Sequence, residues 1–424
     1  MKQEHCFTPA DILLPPEEEI NKGTWAAIAC DQFTSEPEYW AEAEAFVADA
    51  PSTLQLMLPE VYLAESAARL PRIHAAMREA AQSLLQCHKN RMLALRRVQS
   101  DGRVRKGLIG KIDLECYDYH KGANALIRAT EGTVLSRIPP RVAIRRDAPL
   151  ELPHVMLLID DPDHTVIEPL FEENTLSAAQ RVYDCPLMLG GGHATGYALT
   201  EGQIDTVQNA LDRLITPEAM QRRYGDATLS PLLFAVGDGN HSLASAKATY
   251  EEVKAAIGAE AAAQHPARWA LIEIVNLHDD ALSFEPIYRV LFGADYDDVI
   301  AALRTYAASL DGSAESQTVR CIHGDKAEDM AFAHPVQQLT VGTLQTFLDE
   351  YVQSHPGTEV DYIHGEDSLA ALAARDGAIG FLFDGMEKGQ LFRTVIYDGA
   401  LPRKTFSMGH ARDKRYYMEC RKIK

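Results

Sequence analysis

Residues 232–247 read LLFAVGDGNHSLASAK, an apolar run, then a small polar tetrapeptide, then a stretch whose apolar positions recur at helical spacing. The first half has the length and composition of a buried strand, and HSLASAKATYEEVKAAIG (241–258) reads as a helix. GDGN is therefore a tight strand-to-helix turn, with Gly237 and Gly239 able to take backbone angles closed to other residues. The amides of a helix's first turn, with the helix dipole, form an anion site suited to phosphate. In such a corner Asp238 could hold a metal ion or orient a hydroxyl, and His241 could move a proton or pair with a phosphate oxygen. The competing reading is structural, because Asp and Asn favour turns and N-caps with no ligand present.

Working outward, HVMLLID (154–160) and WALIEIVNL (269–277) are almost continuously apolar, as in central strands covered on both faces. GKIDLECYDY (110–119) alternates apolar and polar residues, as in a half-buried strand. Beyond Pro71, the positions Ile73, Met77, Ala80, Leu84 and Cys87 recur at helical spacing and predict an amphipathic surface helix. After about residue 295 the pattern restarts. It predicts a helix in DDVIAALRTYAASL, a strand at TVRCI, a helix in TVGTLQTFLDEYV, and strands at AIGFLFD and LFRTVIY. The class is α/β or mixed α+β, with a functional region over 1–295 and a smaller C-terminal α/β domain over 296–424.

The chain has 424 residues, 46% of them hydrophobic, enough to bury more than one core. A net charge of −20 argues against nucleic acid or an anionic membrane as partner, since both require clustered Lys and Arg. No stretch reaches the roughly 18 apolar residues of a spanning helix, and the N-terminal residues lack an apolar targeting core, so the expected location is the cytoplasm. Seven cysteines without a C-x-x-C pair predict reduced thiols rather than a disulfide frame or thiolate zinc site. The sequence leaves the oligomeric state open.

A second polar stretch, LIRATEGTVLSRIPPR (126–141), gathers Arg128, Glu131, Arg137 and Arg141. The arginines could grip phosphoryl oxygens while the carboxylate takes a proton from an attacking hydroxyl. A surface salt-bridge cluster is the plain alternative. The two stretches together resemble a large bacterial family of unknown function that carries such a motif pair and often lies beside serine-biosynthesis genes. That likeness extends to WAAIACDQFTSEPEYW, YDCPLMLGGGHATGY and EIVNLHDDALSFEPIYRV. More distantly, ATEGT and DGNHS resemble the His-Glu-x-Thr and Asp-Gly-His-His-Arg motifs of the free-serine kinases of the ParB/sulfiredoxin superfamily.

The resemblance implies a ParB/sulfiredoxin-like core elaborated by extra strands and helices. It implies Glu131 as general base on a small hydroxyl substrate, with Asp238 and His241 at the phosphate and metal end. Thr130, Gly239, Asn240 and Ser242 would then line the substrate and phosphate site. Asn240 stands where the kinases have the first His, and Ser242 where they have Arg. Loss of that arginine removes a phosphate ligand, which Arg128 or Arg289 would have to replace.

Three further stretches are candidates. GGGH (190–193) could close over a ligand with His193, or be a plain turn. CDQFTS (30–35) sets Asp31, Gln32, Thr34 and Ser35 at a strand's end, or caps a helix beginning near Glu36, which the position of Pro37 favours. NLHDD (276–280) could join Asp238, His241 and His193 in an oxygen/imidazole metal site. The basic tail 401–417 is either a solvated end or a lid bringing positive charge to a phosphate site. The expected function is phosphotransfer between ATP or ADP and a small hydroxyl metabolite, serine or phosphoserine first, with Mg2+ held at Asp238. A metal-assisted phosphomonoester hydrolase and a non-catalytic nucleotide or metabolite sensor are the alternatives.

Overall fold

The computed structural model describes residues 5–424, and they pack as two compact units. One comprises the described residues up to Ala129 together with Thr133–Leu282 and His410–Lys424; the other comprises Thr130–Gly132 and Ser283–Gly409. The break expected near residue 295 thus falls at 282/283. The sequence reading also missed that the last fifteen residues rejoin the first unit. No composition shift marks either crossing, because the strand that opens the second unit follows almost directly on the end of a first-unit strand.

The first unit is built on a ten-stranded mixed sheet. Its strands are β1 (Phe7–Thr8), β2 (Leu93–Val98), β3 (Val104–Asp113), β4 (Tyr117–Asp118), β5 (Ile127–Ala129), β6 (Met156–Ile159), β7 (Arg181–Leu187), β8 (Gly192–Ala198), β9 (Phe234–Asp238) and β10 (Trp269–Asn276). The spatial order is β7-β8-β2-β3-β10-β6-β9-β5-β4, with β1 paired to β3. The two apolar runs that read as central strands are β6 and β10, which lie side by side and parallel. Side chains alternate between two cores: Leu93 and Leu95 enter one cluster while Ala94 between them enters the other. The helices Glu201–Leu214 and Asn240–Ile257 cover one face through Ile204, Val207, Leu211, Leu243, Ala246 and Tyr250. Trp25, Ile28, Trp40, Tyr416, Tyr417 and Cys420 pack on the other. Met77 and Ala80 of the Ser66–Glu79 helix and its π-turn join that second cluster, although the helix starts before Pro71 rather than after it.

The C-terminal segment is held by specific bonds. Tyr416 pairs with Ile28, the Ala29 amide donates to the Arg415 carbonyl, and the Trp25 indole donates to the Met418 carbonyl. Beneath it Arg415 reaches Glu273 at 3.2 Å and also pairs with Glu419, while Arg105 contacts Glu273 at 3.3 Å. Glu273 and Glu419 are fully buried. Charges so deep persist only when paired, so each arginine is required once the carboxylates are there.

The second unit holds a six-stranded antiparallel sheet of β11 (Phe284–Phe292), β12 (Gln317–His323), β13 (Lys326–Phe332), β14 (Glu359–His364), β15 (Ala378–Leu382) and β16 (Phe406–Met408), in the order β13-β12-β15-β11-β14 with β16 on β11. The helices Tyr296–Ser309 and Thr340–Ser354 lie where the periodicity placed them. LFRTVIY departs from expectation: it forms the helix Gln390–Asp398, burying Leu391, Phe392, Thr394 and Val395. β-Branched residues suggested a strand, but burial at i, i+1, i+3 and i+4 satisfies a helix as well, and packing decides. In GKIDLECYDY the strand stops at Asp113, whose carboxylate accepts the Glu115 amide and turns Leu114–Cys116 into a 3-10 turn. The mixed α+β class is as expected. All seven cysteines are free thiols. No helix among the described residues is long and apolar enough to cross a membrane.

Candidate functional site

β9 runs antiparallel to β6, so Asp238 at its end lies opposite Met156, beside the turn that carries His154. Gly239 then takes φ +81° and forms the N-cap of the Asn240–Ile257 helix, which no side chain caps. A Cβ on Gly239 would sit 3.1 Å from Val155 Cα and 3.2 Å from His154 Cδ2. Glycine is thus required twice, by the left-handed angle and by the close approach of the neighbouring chain.

Around this turn the sheet brings together groups from distant stretches. Asp238 Oδ1 accepts the Gly239 amide at 3.0 Å and its Oδ2 lies 3.4 Å from Lys414 Nζ. The basic tail therefore does place a cation against the turn. Ser242 Oγ lies 2.7 Å from His154 Nε2, His154 Nδ1 is 2.7 Å from the Tyr417 hydroxyl, and Asp31 Oδ2 is 3.9 Å from His154 Nε2. Burial pushes the Asp31 carboxyl upward, but His154, a hydrogen bond from Gln32 and Lys414 outweigh it and hold the group below the usual carboxylate range. His241 is shifted down, first by burial and then by Arg141 and Arg137, so it is held neutral. Its Nε2 accepts the Val134 amide at 3.3 Å, which fits an unprotonated nitrogen. Arg141 itself pairs with Glu60. Cys30, Glu60, Arg141, His154, Ser242 and Tyr417 border a cavity of about 160 Å³ whose remaining wall is mostly aliphatic.

Several sequence candidates lie elsewhere. His193 sits on β8, with four strands between it and β9, roughly 24 Å at ~4.8 Å per strand spacing. It contacts Asp184 at 3.6 Å, and GGGH is the turn of the β7–β8 hairpin, with a Gly191 Cβ position that the Tyr416 hydroxyl fills. His193 is thus not part of this site, and the plain-turn reading holds. Arg128 is buried and spends Nε and Nη2 on the carbonyls of Ala125, Ser230 and Pro231. Arg289, in the second unit, is fully buried; its nitrogens donate to Gln345 Oε1 and to the carbonyls of Ile287 and Arg403. Burial pushes its guanidinium down to about 10, with Tyr362, Asp349 and Glu131 opposing the shift. Neither arginine replaces the missing phosphate ligand, because both are consumed as scaffolding.

Thr130 and Glu131 belong to the second unit, where the Leu401 amide donates to the Thr130 carbonyl at 2.7 Å and Glu131 forms a parallel bridge to Leu401. In NLHDD the side chains serve the first unit: Asn276 donates to the Asp161 carbonyl and Glu168, His278 Nε2 lies 2.7 Å from Asp160, and Asp279 accepts the Lys106 amide. No group of three His, Cys, Asp or Glu side chains among the described residues could hold a metal ion, so the oxygen/imidazole centre imagined for NLHDD with His193 does not form. In CDQFTS, Asp31 reaches the site; the helix Pro37–Val47 starts with proline at its first turn, but its N-cap is Glu36 and no side chain caps it. His154, Tyr417 and Cys30 were missed by sequence reasoning. His154 merely opened an apolar run, and Tyr417 lies more than 170 residues beyond the turn it serves.

The family model described as protein of unknown function (DUF1015) matches residues 9–374. The chain belongs to the DUF1015 family. No curated protein matches it by sequence. Among solved structures it is similar to a free serine kinase in complex with AMP, at 12% identity and a TM-score of 0.36, over 72% of this chain and 89% of that one. It is similar also to a conserved hypothetical protein from Pyrococcus furiosus (11% identity, TM-score 0.34, 71% and 90% covered). A third is SbnI with a C-terminal truncation from Staphylococcus aureus (10% identity, TM-score 0.32, 71% and 82% covered).

Proposed function

We propose that this DUF1015 protein transfers a phosphoryl group between ATP or ADP and a small hydroxyl metabolite, serine or phosphoserine first, in a direction left open. The observation that carries the reading is the glycine-capped start of the Asn240–Ile257 helix, with Lys414 3.4 Å from Asp238 beside it. An uncapped helix start next to an ammonium group is an anion-accepting corner, and phosphoryl transfer depends chiefly on positioning and charge neutralisation. The neutral His241 fits a proton carrier rather than a fixed cation. Mg2+ usually binds through one or two carboxylates plus substrate phosphates, so Asp238 suffices as its protein ligand when the metal arrives with the nucleotide. Glu131 as general base rests on the motif resemblance.

The test assays serine with ATP and phosphoserine with ADP, with Mg2+ present and then chelated. Glu131→Gln keeps the shape but accepts no proton, so turnover should fall by about 10² to 10⁴ while nucleotide affinity stays near wild type. Wild-type turnover in that variant moves the base elsewhere, with His241 next. Absence of transfer in both directions ends the reading.

A further inference from the structure

Ser242 replaces an arginine of the kinase motif, and its surroundings are those of a nucleophile rather than of a phosphate clamp. The Cys30 amide donates to the Tyr417 phenol oxygen at 3.2 Å, and His154 Nδ1 lies 2.7 Å from the same oxygen. With the imidazole proton on Nδ1, facing that oxygen, His154 Nε2 carries a lone pair, and the Ser242 hydroxyl, 2.7 Å away, donates to it. This is the arrangement of an activated serine: base in hydrogen-bond reach, base oriented by a third group.

Two further features favour reaction at Oγ. Asp31 lies 3.9 Å from His154 Nε2, and its carboxylate stabilises the imidazolium that forms when the imidazole takes the serine proton. Ser242 is the third residue of the Asn240–Ile257 helix, whose positive end favours negative charge on its side chain. Ser242 and His154 both open onto the 160 Å³ cavity.

We propose that Ser242 is a covalent phosphoryl acceptor, an inference that rests on the phosphotransfer reading. Oγ attacks the phosphorus of the donor; the Oγ–P bond forms as the bond from phosphorus to the leaving oxygen breaks, and the serine proton passes to His154 Nε2. In the second half the acceptor hydroxyl attacks the phosphoserine and gives its proton to the general base. The P–Oγ bond breaks, and Ser242 takes its proton back from His154. The sum is donor plus acceptor alcohol giving dephosphorylated donor plus phosphate ester.

The experiment incubates the full-length protein with a fluorophosphonate probe and, separately, with Mg2+ and ATP labelled in the γ-phosphate, followed by peptide mapping. Both labels should fall on Ser242. Both should vanish in Ser242→Ala and slow by about 100-fold or more in His154→Gln, with both variants melting as the wild type does. If ATP and serine turn over but no phosphate is found on Ser242, the covalent route is wrong and the phosphotransfer reading stands. If the probe marks Ser242 but no phosphoryl transfer occurs in either direction, both fall. Labelling of Ser242 unchanged in His154→Gln, or no probe labelling of Ser242, overturns its activation by the histidine.

Discussion

Two helices of the first unit begin in opposite ways. The Glu201–Leu214 helix is closed by a capping box, in which the Thr200 side chain accepts the Gln203 amide while the Gln203 side chain accepts the Thr200 amide. The Asn240–Ile257 helix has glycine as its N-cap and no side-chain cap at all. A capped start is worth about 1 kcal/mol to the fold. The Asn240–Ile257 helix forgoes that cap at a turn flanked by Asp238, Lys414, His154 and Ser242. The contrast separates a helix start closed by its own side chains from the one on which the proposed phosphate site rests.

Gly239→Ala should break the contrast most severely. It adds the left-handed backbone penalty and pushes a methyl against Val155, costing about 2–4 kcal/mol of stability and displacing Asp238 and Ser242 together. Chemical denaturation alongside nucleotide titration checks both, and an undiminished stability would mean that the turn relaxes freely. Asp238→Ala comes next. Nucleotide or phosphate affinity should drop about 10-fold or more, over 1.4 kcal/mol, with the fold intact by circular dichroism. Wild-type affinity in the folded variant would return the open helix start to a purely structural role.

Thr200→Ala sharpens the comparison from the other side: about 1 kcal/mol of stability should be lost with ligand affinity unchanged. The smallest effect concerns pH. His241 binds its proton less readily folded than unfolded, so the folded state loses stability as pH falls below the unfolded imidazole value of about 6.5. Denaturation at pH 7.5 and 5.5 should show this loss in wild type and a reduced loss in His241→Asn; an equal loss in both would assign it to other groups. Asp31, held low, contributes in a separate window, its stabilisation present above the ordinary carboxylate pKa and fading only in stronger acid.

The strand–turn–helix at 232–257 was legible because its signals are local: a short apolar run, glycines where the chain must turn sharply, and helical spacing after them. The central strands β6 and β10 were legible for the same reason, since a strand covered on both faces must be apolar along its length. LFRTVIY was not, because seven residues with buried positions at both spacings satisfy either element. The domain boundary was not, because no linker composition marks the crossings: the chain leaves the first unit where a buried strand ends at Ala129.

By itself, then, the sequence determined the mixed α+β class and the strand-to-helix turn that carries Asp238, His241 and Ser242, all by short-range rules of backbone freedom and periodicity. Only the tertiary structure decided who joins them. Antiparallel pairing of β9 with β6 brings His154 to Ser242, and the Tyr416–Ile28 pairing carries Lys414 and Tyr417 back over the sheet to Asp238 and His154. It also removed His193 by placing four strands between it and β9, and Arg128 and Arg289 by burying their donors on carbonyls and a glutamine. The physical reason is that a side chain's chemistry is written in its own residue, whereas its availability is set by hydrogen-bond partners that long-range packing alone supplies.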